Sequence, residues 1–143
     1  MVEMNESRFR RYKDKLNITM RRIEQINEWI DVELEEFICD EKTKLAVYKA
    51  FQEAAEACMD IVSMICKDMN IIPKDDYTNI EELSSKLDID KDILREANGL
   101  RNIIVHRYNS TDDELAYESI KRITPELSRF IEVVENWLQE KIS

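Results

Sequence analysis

The sequence predicts an all-α fold, namely an up-and-down four-helix bundle with an additional short helix. The chain of 143 residues holds 1 Gly and 2 Pro, too few for the turns of a β-sandwich or for a glycine-rich phosphate loop. Apolar residues recur at spacings of three and four along most of the chain, which is the period of a helix with one buried face. No internal repeat divides the sequence, so residues 1–143 are expected to form one helical domain.

The first predicted helix covers roughly residues 7–38 and has an uneven distribution of charge. From Arg8 to Arg22 there are seven basic residues and one acid, whereas from Glu24 to Glu41 there are eight acids and no base. A long solvated helix explains this pattern, and so does a basic end that faces a polyanion. Both interpretations stay open at this point.

Capping residues predict where the later helices begin: Asp40, Thr78 with Glu81, Asp90, and Thr111 with Glu114. They indicate a second helix with a small Ala and Cys face, a loop over residues 70–77 and a short helix to about residue 87. A third long helix to about Tyr108 and a last long helix follow. The apolar stripe of the last helix passes Pro125 in phase, so we expect a kink or a brief break there, with Thr124 as a new cap.

Net charge and cysteine usage limit the classes of function. The charge of −10 argues against a protein that mainly coats DNA or an anionic membrane, but it allows a local basic site. No apolar run approaches the ~18 residues of a membrane span, and no signal peptide is recognisable. Three cysteines without a C-x-x-C pair predict a reducing, cytoplasmic location: Cys39, Cys58 and Cys66. With 1 His in the chain, neither a metal site nor a cofactor is predicted.

The segment over residues 95–109, REANGLRNIIVHRYN, carries the candidate chemistry. A helical wheel predicts a core stripe of Ile93, Ala97, Leu100 and Ile104, with Tyr108 beside it. A second stripe, on the opposite side of the helix, consists of Arg95, Gly99, Asn102 and His106. Ile103 and Val105 border the second stripe, which a purely solvated face would not favour, so we expect something other than water to cover it. Gly99 costs about 1 kcal/mol relative to Ala inside a helix. It is either tolerated or allows a partner helix or a phosphate backbone to approach closely.

A histidine with an arginine nearby is the minimum set of groups for metal-free cleavage of RNA. His106 could help to deprotonate a ribose 2′-hydroxyl, Arg101 could stabilise charge on the phosphorus, and Arg95 and Arg107 could bind phosphate. Asn102 lies one turn before His106 and could fix its tautomer. Such chemistry ordinarily needs two titratable groups, so the single His predicts a two-fold dimer with one shared cleft. A plainly structural or exposed histidine is the alternative.

The spacing Arg101, four residues, His106, one residue, Tyr108 resembles the Arg-x4-His-x-Tyr signature of the HEPN superfamily. It is most similar to the HepT-like toxins that pair with minimal nucleotidyltransferase (MNT) antitoxins, and Asn102 suits the polar residue that commonly follows the arginine. The likeness extends to nearly the whole chain in its length, its helices and the position of the motif.

This resemblance implies a homodimeric, metal-independent endoribonuclease toxin with Arg101 and His106 in the cleft. It also implies an MNT antitoxin that transfers AMP onto Tyr108, although Tyr108 could equally be a packing tyrosine with an exposed hydroxyl. Two alternatives remain: a catalytically silent HEPN subunit that binds a nucleotidyltransferase, and a helical adaptor in which the motif is coincidental.

Overall fold

The computed structural model describes residues 4–106, 108 and 111–142, and these ranges contain six α-helices and no strand. The helices are α1 (Glu6–Trp29), α2 (Leu34–Cys39), α3 (Glu41–Asp68), α4 (Asp76–Ser84), α5 (Lys91–His106) and α6 (Asp113–Ile142). The prediction of an all-α fold is confirmed. None of the described helices is long and apolar enough to cross a membrane.

The four long helices pack as a ring in which α1 contacts α3, α3 contacts α5, α5 contacts α6 and α6 contacts α1. Helices α1 and α3 are antiparallel, because their ion pairs join rising residue numbers to falling ones: Arg8–Asp68, Lys15–Asp60 and Arg22–Glu53. The short helix α2 lies against α3 and α6, and α4 lies against α3 and α5.

Helix α3 is the most buried element of the bundle. Its buried side chains include the small residues Ala54, Ala55, Ala57 and Cys58, which allow the neighbouring helices to approach closely. One stripe of α3 remains accessible between α1 and α5, and this stripe becomes important for the functional site.

The first predicted helix is in fact two helices, because α1 ends at Trp29 and α2 begins at Leu34. The break lets Phe37 turn into the core, where its ring lies 5.9 Å from that of Tyr48 and 5.1 Å from that of Tyr117. The Tyr117 hydroxyl also donates to the Val32 carbonyl at 2.6 Å. A straight helix would have carried Phe37 roughly 12 Å further along the α1 axis.

The predicted caps at Asp40 and Asp90 are confirmed. Asp40 accepts from the Thr43 backbone N–H at 3.1 Å, and Asp90 accepts from that of Ile93 at 3.2 Å. Hydrogen bonding to Thr43 lowers the pKa of Asp40 below its ordinary value.

The predicted caps at Thr78 and Thr111 are wrong. Helix α4 is capped by Asp75, which accepts from the Thr78 N–H at 2.9 Å. Asp112, directly before α6, accepts from the Leu115 N–H at 3.1 Å. In both cases an aspartate accepts from the N–H three residues ahead, which is the geometry of an N-cap. Asp75 precedes Thr78 by three residues, and Asp112 directly follows Thr111.

The expected break at Pro125 is not seen, because α6 continues through it. Thr124 is buried and its hydroxyl donates to the Ile120 carbonyl at 2.6 Å, so it bonds back within the same helix and caps no new one. The predicted ends of two other helices also shift: α4 ends at Ser84, and α5 ends at His106.

Candidate active site

Arg101 and His106 lie on the C-terminal part of α5 in different environments. The Arg101 side chain is 27% exposed and faces α3. His106 is the last residue of α5 and is exposed. The helix therefore presents one motif residue to its own bundle and the other to the outside.

The Arg101 guanidinium is held by hydrogen bonds from three of its nitrogen atoms. Its Nε and Nη2 donate to Glu56 Oε1 at 3.2 and 3.1 Å, and its Nη1 donates to Asn102 Oδ1 at 2.8 Å. Gln52 Nε2 also donates to Glu56 Oε1, at 2.8 Å. Multiple hydrogen bonds to a carboxylate fix both the position and the plane of an arginine.

Sequence reasoning missed Glu56 and Gln52. They stand four residues apart on α3, and polar residues at that spacing on a largely apolar helix were the available signal. Glu56 and Arg101 are 45 positions apart in the sequence, and no local sequence pattern specifies a contact over that separation.

Asn102 has a different role from the predicted one. Its amide oxygen accepts from Arg101, and no hydrogen bond between Asn102 and His106 is present among the described residues. Asn102 therefore helps to orient the Arg101 guanidinium and does not hold His106 in place.

The second stripe of α5 is partly covered by α4 of the same chain. Arg95 pairs with Glu81 of α4 and contacts Asp92 at 3.9 Å. A Cβ on Gly99 would lie 3.7 Å from the Tyr77 hydroxyl, an ordinary contact. At Arg95 and Gly99 the second stripe is thus covered by α4 of the same chain. Neither residue contacts His106 among the described residues.

The other end of that stripe remains open. Ile103 is 43% exposed and Val105 is 38% exposed, on either side of the exposed His106. A two-fold contact between chains would therefore use the Ile103 to His106 end of α5. Arg107, the further predicted phosphate ligand, lies outside the described residues.

Asp76, at the start of α4, adds a carboxyl group near Arg101. Partial burial raises the pKa of Asp76, and the positive charge of Arg101 opposes that rise. Asp76 thus adds a second negative charge near the guanidinium, from α4, to that of Glu56 on α3.

Tyr108 follows α5 and meets the first turn of α3. Its hydroxyl donates to Glu41 Oε1 at 3.2 Å, and its ring contacts that of Tyr48 edge to face, with the centroids 6.0 Å apart. Burial and the Glu41 carboxylate raise the pKa of Tyr108. The ring packs on the core, as a packing tyrosine would, while its hydroxyl lies at an exposed edge, as a modification site would require. The environment of Tyr108 is therefore compatible with both interpretations.

The arrangement of helices is similar to that of solved structures from toxin–antitoxin complexes. A tri-AMPylated HEPN toxin of Shewanella oneidensis, in complex with an MNT antitoxin, superposes with a TM-score of 0.80 at 24% identity and covers 93% of this chain and 99% of that one. A toxin–antitoxin structure with AMP-PNP gives a TM-score of 0.78 at 24% identity and covers 92% and 99%.

The sequence identifies the family. The profile of the family described as Ribonuclease HepT-like matches residues 18–134, and the chain belongs to that family. Two proteins of Archaeoglobus fulgidus, each named "Putative RNase", are 32% and 36% identical over 133 residues. The matches cover 91% of this chain and 95% of the first relative, and 88% and 89% for the second.

Proposed function

We propose that this member of the HepT-like ribonuclease family is a metal-independent endoribonuclease toxin that works as a homodimer. The observation that carries the proposal is the fixed guanidinium of Arg101, five residues before an exposed His106 on the same helix. A prepositioned cation and a titratable imidazole are what cleavage of RNA without a metal requires.

In the proposed reaction His106 removes the proton from a ribose 2′-hydroxyl, and the 2′-oxygen attacks the adjacent phosphorus. The bond from phosphorus to the 5′-oxygen breaks, and that oxygen takes a proton from a second imidazole, which leaves a 2′,3′-cyclic phosphate and a 5′-hydroxyl. Arg101 stabilises the extra negative charge on the phosphoryl oxygens. The second imidazole is His106 of the other protomer, because the chain has 1 His.

The apolar residues beside His106 support the dimer. Ile103 and Val105 are exposed in the single chain, and burying them in a two-fold contact would remove apolar area from water while bringing two copies of His106 together. This contact leaves the Arg101 site within each protomer unchanged.

We further propose that an MNT antitoxin neutralises the toxin by modifying Tyr108. The phenol oxygen would attack the α-phosphorus of ATP, pyrophosphate would leave, and the phenolic proton would pass to Glu41, which already accepts it at 3.2 Å. The attached AMP would add bulk and negative charge on the same side of the bundle as Arg101, in competition with RNA phosphate.

Expression of the chain without an antitoxin in a bacterial host tests the toxin proposal. Growth arrest is expected, together with RNA cleavage by the purified protein in excess EDTA, and His106→Ala should abolish both. Arg129→Ala is the matched control, since Arg129 is a largely exposed cation on α6. A dimeric, folded wild-type protein that neither arrests growth nor cleaves RNA would instead be the catalytically silent subunit.

A further inference from the structure

Helix α3 exposes one continuous stripe between α1 and α5. Its accessible positions follow helical spacing and form what we call the α3 stripe: Lys49, Gln52, Glu53, Glu56, Asp60, Ser63 and Lys67. From Lys49 to Lys67 the stripe is about 27 Å long at the α-helical rise. Arg101 lies on it, because Glu56 holds its guanidinium.

On a chain whose net charge is −10, the α3 stripe and the cations paired with it hold five cations against three carboxylates, and Asp76 adds a fourth carboxyl group near Arg101. Each of its carboxylates is paired with a cation from a neighbouring helix: Glu53 with Arg22 at 2.7 Å, Glu56 with Arg101 at 3.1 Å and Asp60 with Lys15 at 2.9 Å. Lys49 and Lys67 are exposed, and neither has an ion pair within the described residues. Their charges are therefore available to a polyanion.

A pocket opens from the stripe toward α1, one helical turn from Glu56. It has a volume of about 250 Å³, and its lining includes Trp29, Ala46 and Ala50, the cations Arg22 and Lys49, and the carboxylate of Glu53. Trp29 is partly buried and lines the pocket, so part of its indole ring is accessible there. A tryptophan in the same pocket as cations is a combination that binds a base and its flanking phosphates.

We propose that the α3 stripe is the path of single-stranded RNA away from Arg101, and that one unpaired base enters the α1–α3 pocket against Trp29. Lys49 contacts a flanking phosphate, while Arg22 stays paired with Glu53 at the pocket. The inference rests on the proposed ribonuclease function and adds a binding subsite to it. It also assigns a role to part of the basic half of α1, whose Lys15 and Arg22 neutralise the acids of the stripe.

Single-stranded RNA suits this surface better than an acidic protein or a duplex. The pocket lies below the ~300–1,000 Å³ typical of sites for drug-sized ligands, and it is recessed between two helices. Only an unstacked base can enter such a recess, whereas a base in a duplex remains stacked. An acidic protein would use the lysines but has no need of the tryptophan beside them.

Binding of a fully 2′-O-methylated RNA oligonucleotide, which cannot be cleaved, tests the subsite by fluorescence anisotropy over a range of salt. Trp29→Leu is expected to weaken binding roughly tenfold with little change in the salt slope, because it removes stacking, and Trp29→Phe should retain most of the affinity. Lys49→Gln should lower the slope of log affinity against log salt by about 0.7, because it removes one phosphate contact. Lys121→Gln on α6 is the matched control and should change neither quantity.

The outcomes separate this inference from the function on which it rests. If the wild type cleaves and binds RNA while Trp29→Leu and Lys49→Gln bind as the wild type does, the subsite is wrong and the ribonuclease stands. Loss of antitoxin binding in those variants, with RNA binding unchanged, would make the stripe a protein interface and overturn the proposal. A wild-type protein that neither binds nor cleaves RNA would overturn both the binding subsite and the ribonuclease function. Since Lys49 is exposed, its variant remains informative even if Trp29→Leu is unstable.

Discussion

Arg101 and His106 share one helix but differ in how far a single chain prepares them. Arg101 is half-buried and is fixed by Glu56 and Asn102. His106 is exposed, is flanked by exposed Ile103 and Val105, and makes no hydrogen bond within the described residues. The difference teaches that the cation is preorganised within one chain, whereas in the proposed dimer the imidazole would acquire its surroundings from a second chain.

The largest expected effect comes from disturbing the histidine end. Ile103→Asp places a charge in the proposed two-fold contact, and we expect dimerisation and cleavage to fall by roughly 100- to 1,000-fold. Sedimentation equilibrium measures the first quantity and single-turnover cleavage the second. Ile72→Asp is the matched control, since Ile72 is 79% exposed in the loop before α4. If the Ile103→Asp variant remains dimeric, the contact between the two chains lies on another surface.

A smaller effect is expected from disturbing the arginine end. Glu56→Gln removes the carboxylate that positions Arg101, so kcat should fall by roughly 10- to 100-fold while the protein stays dimeric. RNA affinity should not fall, since a negative charge beside the site is lost. Glu56→Asp should recover part of the rate.

The control for Glu56 is Glu96→Gln, which breaks an ion pair with Arg122 away from the motif. An unchanged kcat in Glu56→Gln would show that Arg101 does not depend on α3. A lowered affinity with unchanged kcat would place Glu56 in substrate binding and contradict its positioning role.

Gly99→Ala tests the middle of the same helix, where α4 already covers the stripe. A Cβ there meets only the Tyr77 hydroxyl, at 3.7 Å, among the described atoms. The substitution should therefore stabilise the protein by about 0.5–1 kcal/mol through helix propensity and leave cleavage intact. Urea unfolding measures the gain. A destabilised or inactive Gly99→Ala would mean that a partner approaches the helix at this glycine.

The smallest expected effect is the alkaline titration of Tyr108. Its pKa is raised above the ordinary tyrosine value of 10 by burial and by Glu41. The stabilisation linked to its protonated form is therefore fully present below pH 10 and is lost as the pH rises through the folded-state pKa. The difference in absorbance at high pH between the wild type and Tyr108→Phe measures the ionisation. Ionisation below pH 10 would contradict the hydrogen bond to Glu41.

Sequence periodicity predicted the long helices because each buries one apolar stripe. The same signal hid the end of α1: Ile30, Leu34 and Phe37 keep the helical spacing, although the chain turns between α1 and α2 to bury Phe37. At two helix starts the capping-box pattern of a threonine and a glutamate three residues later pointed to Thr78 and Thr111, whereas Asp75 and Asp112 accept the capping hydrogen bonds.

The sequence indicated the parts of the candidate site that depend on local order, and it did not indicate the contacts that depend on packing. The positions of Arg101 and His106 on α5, and of Tyr108 just after it, follow from their spacing. The contact of Arg101 with Glu56 and of Tyr108 with Glu41 joins helices distant in sequence. The cover of Arg95 and Gly99 by α4 likewise requires the chain to fold back after the loop at residues 70–75.

The shared cleft is tested most directly by mixing wild-type and His106→Ala chains. The two chains are co-expressed with different tags in equal amounts, and cleavage is measured on the exchanged population. If both imidazoles serve one cleft, only dimers of two wild-type chains are active, and activity should fall to about a quarter of the all-wild-type value. Activity of about one half, proportional to the wild-type fraction, would show that each chain acts alone and would contradict the two-chain site.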